Sequence, residues 1–521
     1  MRGLATIHKR AGGRPSPVNE ATTRPYSHPA PYGGWNARGN LANMPPTDAI
    51  QMDNVFPGVQ EVALRKGCID WVTGFGSNIK TLLAYSSSTT SKLFASTNTA
   101  IYDVTANGTV GASVTTCTSG FWSYVNFVTA GGKFLVMANG ADAVKNYDGT
   151  SWTTPAITGV TPANLFYVTT HQKRLWFVEN ASMNIWYLPV ESIAGAAVQF
   201  PVGALFKRGG YVAAIGSWTV DSGAGANDQF VIVTSEGEIA VYLGTDPASS
   251  ATWALVGVYD APRPLGTRPL LDYGGDLLYL SRNGIIPISK LAQSVAIDRS
   301  NQVSYKIDGA FLDAAEGYSV NPGWQMTTHK ARNLLVVNIP VSADTVAYQF
   351  VMNTITKAWC RFTGWNASCW ATLGDDLYFA GGAKVSKAWQ GTSDAGVAIQ
   401  GTVVQAYSPL GSRTQKNIAL VRPNIGLSGA VQLAISLDAD FRTFAGSTII
   451  SYVPTSSSSL WDVALWDAGI WDAGMAVVEP CWQTVPAELG YLHSFRLQIT
   501  TSISTFTWTS TDFAWKPAGI L

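Results

Sequence analysis

Residues 274–288 read Gly-Gly-Asp-Leu-Leu-Tyr-Leu-Ser-Arg-Asn-Gly-Ile-Ile-Pro-Ile, and this stretch predicts a β-hairpin. Two apolar strands, 277–280 and 285–288, flank the dipeptide Asn283-Gly284. Asparagine and glycine tolerate φ > 0, so the dipeptide predicts a type I′ turn. The hairpin is the unit that much of the chain repeats.

Looser copies of this hairpin occur before and after it. Their first strands begin at residues 93, 134, 175, 230, 277, 334 and 377. Strand repeats of roughly 40–50 residues are typical of propeller blades. The repeats therefore predict a β-propeller of six blades, with seven as the alternative count. A large β-sandwich whose strands resemble one another is the competing interpretation.

Composition narrows the class of protein. The 521 residues include 34 Lys and Arg and 34 Asp and Glu, so the formal net charge is zero. A dedicated nucleic-acid binder would carry an excess of basic residues that contact phosphates, so the balanced charge argues against this class of protein. Charged residues are only 13 % of the chain, about half the usual share. Such a composition suits a protein whose faces are covered in an assembly.

The five cysteines form no CxxC pair, so neither a disulfide framework nor a zinc site is indicated. The N-terminus carries no apolar core of the signal-peptide type. No stretch reaches the 18 or more apolar residues of a membrane span. We therefore expect a protein that folds in a cytoplasm and needs no cofactor.

The chain divides into four parts by composition. Together they predict an all-β protein in which a β-propeller lies between an N-terminal extended arm and a C-terminal β-sandwich-like domain. The predicted strands of that last domain are 401–407, 418–425, 430–437, 495–501 and 504–509. The predicted parts are an extended basic arm (1–30), an N-terminal docking segment (31–75), the propeller (76–400) and the sandwich-like domain (401–521).

The docking segment has the most distinctive sequence. Thr47 is a plausible N-cap, and Ala49 and Met52 would share one face of a short helix that ends at Asn54-Val55-Phe56-Pro57-Gly58. Residues 62–67 predict the first strand. Between blades, the interval 289–323 breaks the repeat, and residues 311–315 within it predict another short helix.

The docking segment resembles the opening of a phage protein family. Its motifs are Gly33-Gly34-Trp35-Asn36-Ala37-Arg38, Met44-Pro45-Pro46-Thr47-Asp48-Ala49, Asp53-Asn54-Val55-Phe56-Pro57 and Leu64-Arg65-Lys66-Gly67. They are similar to those of short-tailed (podovirus) phage tail proteins, known as nozzle, tail-hub or packaged-DNA stabilisation proteins. The motif match covers about 40 residues, and the blade repeats extend it loosely to about residue 400.

The resemblance implies a function that the composition does not. It implies a homohexameric ring in the virion tail, below the portal and its adaptor protein. Such a ring continues the DNA channel, retains packaged double-stranded DNA without sequence-specific binding, and supports tail fibres or tailspikes. The protein would be made in the host cytoplasm.

Six residues are candidates for contacts with other subunits or tail proteins. Three belong to the docking segment: Trp35, Arg38 and Phe56. The other three recur every five residues in a Trp-Asp pattern that predicts an irregular loop: Trp461, Trp466 and Trp471. Exposed tryptophan clusters mark interfaces. A loop pinned to its own domain is the alternative interpretation of that pattern.

We find no motif for catalysis or metal binding. The five histidines show no HxxxH spacing, and no GxSxG, GxxxxGK[ST] or complete GxGxxG occurs. Asp375-Asp376 is a paired carboxylate, but adjacent residues of a strand point to opposite faces. The sequence therefore predicts a structural protein and no enzyme.

A glycan-binding or glycan-cleaving propeller is the alternative, favoured by the tryptophan-rich all-β composition. A monomeric scaffold propeller that binds peptides is the third hypothesis.

Overall fold

The structure is a computed structural model of the chain. It describes residues 23–221, 226–293, 299–444, 446–452, 476–477, 481–486 and 489–518. Regular structure in these ranges is dominated by β-strands, which confirms the predicted all-β class. The strands build a β-propeller and a β-sandwich, and one hydrophobic cluster runs from the sandwich into blades 5 to 7. Separate clusters lie between the other blades.

The propeller consists of seven antiparallel sheets that follow one another along the described chain. The first strands of neighbouring sheets lie side by side, so these strands surround a central axis. Blades 1 to 4 contain Thr81–Ser86, Ser91–Ser96, Ala100–Asp103 and Ser113–Thr116; Ser123–Thr129, Gly132–Ala138, Lys145–Tyr147 and Trp152–Thr153; Leu165–His171, Arg174–Glu179, Asn184–Tyr187 and Val198–Pro201; Val212–Asp221, Ala226–Thr234, Glu238–Gly244 and Trp253–Asp260. Blades 5 to 7 contain Leu270–Tyr273, Asp276–Ser281 and Gly284–Pro287; Gln325–His329, Leu334–Ser342, Val346–Asn353 and Trp359–Phe362; Cys369–Leu373, Asp376–Gly381 and Lys384–Ala388.

An N-terminal strand closes the ring of blades. Cys68–Thr73 pairs antiparallel with Lys384–Ala388 and becomes the fourth strand of blade 7. The blade count is therefore the alternative, seven, rather than the preferred six. Each of the seven predicted repeat anchors is the second strand of a blade. The repeat pattern could not show the closing strand, because its partner lies about 300 residues away.

The hairpin of blade 5 forms as predicted, but its turn type is wrong. Ser281 pairs with Gly284 across a two-residue turn. Gly284 has φ = 128°, whereas Asn283 is absent from the residues with positive φ. The left-handed conformation therefore falls on the glycine alone, and the turn is not type I′.

Aromatic side chains fill the spaces between blades. Trp122 is buried between blades 1 and 2. Trp176 lies between blades 3 and 4, where its ring stacks on Trp253 with 5.7 Å between centroids. Large rings suit these wedge-shaped spaces because each buries a wide apolar area. Trp122, Trp176 and Trp253 therefore have a structural role in the packing of the blades.

Two short α-helices interrupt the repeat between blades 5 and 6, where the sequence predicts a break. Helix α1 is Ile288–Gln293 and helix α2 is Asp308–Tyr318. The second helix buries Phe311 against Trp324 and Phe350. The 3₁₀ turns of the described chain are Leu41–Asn43, Pro162–Asn164, Gly203–Leu205, Arg299–Asn301, Tyr305–Ile307 and Lys330–Arg332. Four short strands complete the assignment: Gly108–Thr109, Ile157–Thr158, Gly195–Ala196 and Ser393–Asp394.

The sandwich combines strands from both ends of the chain. One sheet contains Arg24–Pro29, Val55–Pro57, Val62–Leu64, Lys416–Leu427, Ala476–Val477 and Phe506–Pro517. The other contains Gly34–Trp35, Asp48–Asp53, Val397–Gln405, Val431–Ala439, Thr448–Tyr452 and His493–Thr501. The predicted C-terminal strands are present. The described part of the predicted arm, from residue 23, forms a strand of this domain, and residues 1–22 lie outside the described ranges.

The short helix predicted in the docking segment is wrong. Residues of that stretch form the strands Asp48–Asp53 and Val55–Pro57 instead. Asp48–Asp53 pairs with Val397–Gln405 and, through Asp53, with blade 6. These tertiary hydrogen bonds override a helix signal that rested on one cap and three-residue spacing. The segment 31–75 is thus part of the sandwich and of blade 7.

Candidate functional site

Arg65 is buried where the propeller meets the sandwich. Its two terminal nitrogens donate to both carboxylate oxygens of Asp394, at 2.8 and 2.6 Å. It also donates to the Thr363 carbonyl at 2.6 Å, and its guanidinium lies 4.6 Å from the ring centroid of Trp365. A buried ion pair is stable only when its remaining donors and acceptors are also satisfied, as they are here.

Asn54 supports this pair from the adjoining turn. Its φ of 57° is a left-handed conformation that asparagine tolerates better than most residues. Its amide nitrogen donates to Thr363 Oγ1 and to the Gln400 carbonyl, both at 2.8 Å. Its amide oxygen accepts from Arg65 Nε at 2.9 Å and from the Thr363 amide at 2.8 Å. We call Asn54, Arg65, Thr363, Trp365 and Asp394 the junction.

Two aspartates of the sequence motifs link the sandwich to blade 6 and to the helical insertion. Asp53 accepts two hydrogen bonds from Arg361 of blade 6, at 2.6 and 2.7 Å. Asp48 accepts from Asn36 Nδ2 at 2.8 Å and from Lys306 Nζ at 2.7 Å. Lys306 belongs to the helical insertion, so the motif residues contact both the insertion and the last two blades.

Two glycines of the sequence motifs lie so close to the backbone of other segments that no side chain would fit. Gly34 has φ = 83°, and a Cβ there would lie 2.6 Å from the Trp359 carbonyl oxygen. A Cβ on Gly67 would lie 1.8 Å from the carbonyl oxygen of Ser393. Any larger residue would therefore push the N-terminal segment away from blades 6 and 7.

The predicted contact residues of the docking segment occupy different environments. Trp35 is 9 % exposed and packs edge-on against Phe350, with ring centroids 5.3 Å apart. Phe56 is half-buried between Phe362 and Trp389. The structure thus places both residues mainly in contacts within their own chain.

Arg38 is exposed, and its guanidinium carbon lies 3.4 Å from the ring centroid of Tyr305. Its role as a contact with another subunit stays a prediction. Trp461, Trp466 and Trp471 lie outside the described residues.

The propeller axis contains a residue that the sequence analysis missed. Arg268 precedes the first strand of blade 5 and donates to Thr81 Oγ1 of blade 1 at 2.8 Å. It also donates to the Trp122 carbonyl before blade 2 at 2.6 Å, and to Gln325 Oε1 of blade 6 at 3.2 Å. One side chain therefore joins four blades across the axis. Nothing in the local sequence distinguishes Arg268 from a surface arginine.

A cavity of about 730 Å³ lies at the ends of the first strands of blades 4 to 6. Its lining includes Thr219, Asp272, Tyr273 and Lys330. Burial raises the pKa of the Asp272 carboxyl, and Lys330 opposes that rise. A second cavity, of about 500 Å³, lies at the beginnings of these first strands, and its lining includes Tyr211, Thr267 and Asn321.

Comparisons with known proteins find similarity of shape only. No family model and no curated protein matches the chain. Among solved structures, the designed Ika8 protein has 10 % identity and a TM-score of 0.37, covering 62 % of this chain and all of that one. The WD40 β-propeller domain of Doa1 has 11 % identity and a TM-score of 0.38, covering 62 % and 97 %. YCF48 from Cyanidioschyzon merolae has 12 % identity and a TM-score of 0.36, covering 62 % and 98 %. Structural similarity at these sequence identities and TM-scores supports no conclusion about function.

Within the described ranges, no three His, Cys, Asp or Glu side chains are grouped as metal ligands. No helix of the described chain is long and apolar enough to cross a membrane.

Three buried histidines predict acid sensitivity. Burial lowers the pKa of His28, His171 and His493 to about 4, from 6.5. These groups are neutral in the folded chain and take up protons more readily when unfolded. Stability should therefore be complete above pH 6.5 and fall as the pH drops toward 4, by up to about 3 kcal/mol for each histidine. Urea unfolding midpoints between pH 7.5 and 4.5 measure this loss.

The matched variant is His171→Gln, which removes one of the three groups. It should reduce the loss of stability over this pH range by about a third. A urea midpoint that does not change between pH 7.5 and 4.5 would show that the histidines are accessible to protons in the folded chain.

Proposed function

We propose that this chain is a structural subunit of the tail of a short-tailed bacteriophage. In this proposal it forms a nozzle or hub ring below the portal adaptor, retains packaged DNA and supports receptor-binding fibres or spikes. The observation that carries the proposal is the order of the four motifs between Gly33 and Gly67. The structure adds a physical reason for their grouping, because Asn54 and Arg65 belong to the junction and Asp48 and Asp53 form ion pairs with the helical insertion and blade 6.

The closed propeller axis indicates where DNA would pass. A DNA duplex cannot pass along an axis that Arg268 bridges with hydrogen bonds to three other blades. In the proposed ring, DNA therefore passes between subunits, and each propeller acts as a solid block. A formal net charge of zero suits a conduit, since strongly basic walls would hold DNA through counterion release.

Mass measurement on the purified full-length chain tests the proposal. We expect a closed ring of six copies, about 330 kDa from chains of 55.6 kDa. We also expect the chain in purified virions, at six copies per particle. A monomer that binds or cleaves a glycan on a carbohydrate array, and that is absent from virions, would establish the alternative function instead.

A further inference from the structure

The cavity of about 730 Å³ at the ends of the first strands of blades 4 to 6 has polar walls. Blade 4 contributes Ser217, blade 5 contributes residues 272–276, and blade 6 contributes Thr328. Leu334 is the one aliphatic side chain among the described residues of its lining. Ligand cavities typically have volumes of about 300–1,000 Å³ and a few converging polar groups. This cavity matches them in size and lining, and the proposed structural role leaves it without a function.

Hydrogen bonds fix two of the polar groups on these walls. Ser217 Oγ lies 2.9 Å from Nδ1 of His171, whose side chain is buried between blades 3 and 4. The Tyr273 hydroxyl accepts from Lys357 Nζ at 2.9 Å. Each hydroxyl has one donor and two acceptor positions, so one such bond leaves capacity for a ligand. A ligand would therefore meet groups whose positions are set before it binds.

Other polar groups of the lining have no partner within the described part of the chain. The Asp272 carboxylate and the Lys330 ammonium form neither a hydrogen bond nor an ion pair there. The same holds for the side-chain amide of Asn333 and for the hydroxyls of Thr328 and Thr354. Together these five groups supply both donors and acceptors to one cavity.

The charges around the cavity decide which class of ligand fits it. Two carboxylates of the lining, Asp272 and Asp276, disfavour phosphate and other anions. The ammonium groups of Lys330 in the lining and of Lys357 beside Tyr273 disfavour cations. An apolar ligand would leave the unpaired polar groups without water or a partner. A neutral molecule rich in hydroxyl groups satisfies them, because each hydroxyl both donates and accepts.

We propose that this cavity binds a short neutral saccharide. The Asp272 carboxylate accepts from sugar hydroxyls, while the Lys330 ammonium and the Asn333 amide donate to sugar oxygens. A free amino acid would also match one acidic and one basic group, but it would fill only a small part of a cavity of about 730 Å³. The inference does not rest on the tail proposal, since a ring-forming chain and a monomer would both carry the site.

Saturation-transfer NMR on the full chain tests the site, because the method detects weak ligands. The probes are the neutral disaccharides maltose, cellobiose, lactose and chitobiose, with glutamine as the zwitterion and inorganic phosphate as the anion. We expect a saturable signal from at least one disaccharide and none from glutamine or phosphate. No signal from any of the four disaccharides, or a signal from glutamine or phosphate alone, would overturn the proposal.

Two variants locate the binding in this cavity. For the disaccharide that binds, Asp272→Asn should weaken the affinity about tenfold, because a hydrogen bond to a charged group is lost. Asn333→Gly should weaken it several-fold; glycine accepts the backbone φ of 56° at this position, so this variant keeps the test valid if Asp272→Asn fails to fold.

Asp260→Asn is the matched control, since the Asp260 side chain is 71 % exposed on the outer strand of blade 4 and does not line the cavity. It should leave the affinity unchanged. Equal binding by wild type and both cavity variants would show that the saccharide binds elsewhere and would overturn the proposal. Binding by a chain that also forms the closed ring would support both proposals, whereas binding by a monomer would support this one alone.

Discussion

Replacing Arg65 with methionine is expected to lower the free energy of unfolding by about 3–5 kcal/mol. The Arg65 side chain is fully buried and the Asp394 side chain is 14 % exposed. Methionine has a similar length but no donor, so the carbonyl of Thr363 would lose its partner, and Asp394 would lose its counter-charge and keep the hydrogen bond from Trp365 Nε1. Breaking a buried pair on one side leaves an uncompensated charge, which costs more than the pair itself contributes. Urea unfolding of the purified chain measures the loss.

The matched control is Lys384→Met. Lys384 pairs with Asp70 of the same closing strand, at 2.7 Å, but its side chain is 45 % exposed. Exposed pairs contribute about 0–1 kcal/mol, so this variant should remain close to wild type. Equal stability of the two variants would show that the junction does not hold the propeller and the sandwich together. We also expect Arg65→Met to increase proteolysis between the two domains.

Trp35→Ala is the second variant with a large expected effect. The change should cost about 3–5 kcal/mol, the usual range for removing a large buried ring. Trp35 packs on Phe350 of blade 6, and its indole nitrogen donates to the Ile50 carbonyl at 3.0 Å. The measurement is the thermal unfolding midpoint together with the oligomeric mass. Trp35→Phe should cost less, because most of the ring contact remains.

Trp482→Ala is the control for this variant, since Trp482 is 38 % exposed and contacts Arg422 on the surface. It should change stability by less than about 1 kcal/mol. If Trp35 acts mainly in assembly, Trp35→Ala would instead leave the melting temperature unchanged and abolish the ring. Its burial in the chain's own core favours the loss of stability.

The phage-like motif therefore has a structural explanation within one chain. Asn54 and Arg65 form hydrogen bonds that fix the sandwich on blades 6 and 7. Gly67 allows the chain to pass directly over Ser393. For the proposed tail ring, this means that each subunit carries a rigid two-domain body. In that proposal, contacts between subunits involve other surfaces, for which Arg38 stays a predicted contact residue.

The sequence by itself determined the all-β class and the propeller. Alternating apolar strands with turn residues at intervals specify a hairpin locally, and each of the seven predicted hairpins is present. The break in the blade repeat at residues 289–323 could also be predicted, because the local pattern of a helical stretch such as Asp308–Tyr318 differs from that of a β-hairpin. These features depend on neighbours within about ten residues, so periodicity and turn chemistry are sufficient to find them.

The tertiary structure alone decided the closure of the ring, the strand at Asp48–Asp53 and the position of Arg268 on the axis. Each depends on partners far away in the chain: Asn54 contacts Thr363, and Arg268 contacts Thr81. A local pattern cannot rank such partners, since their free energy is gained only after the blades have come together around the axis. That is why a stretch with helix signals became a strand, and why an ordinary arginine became the residue that joins four blades.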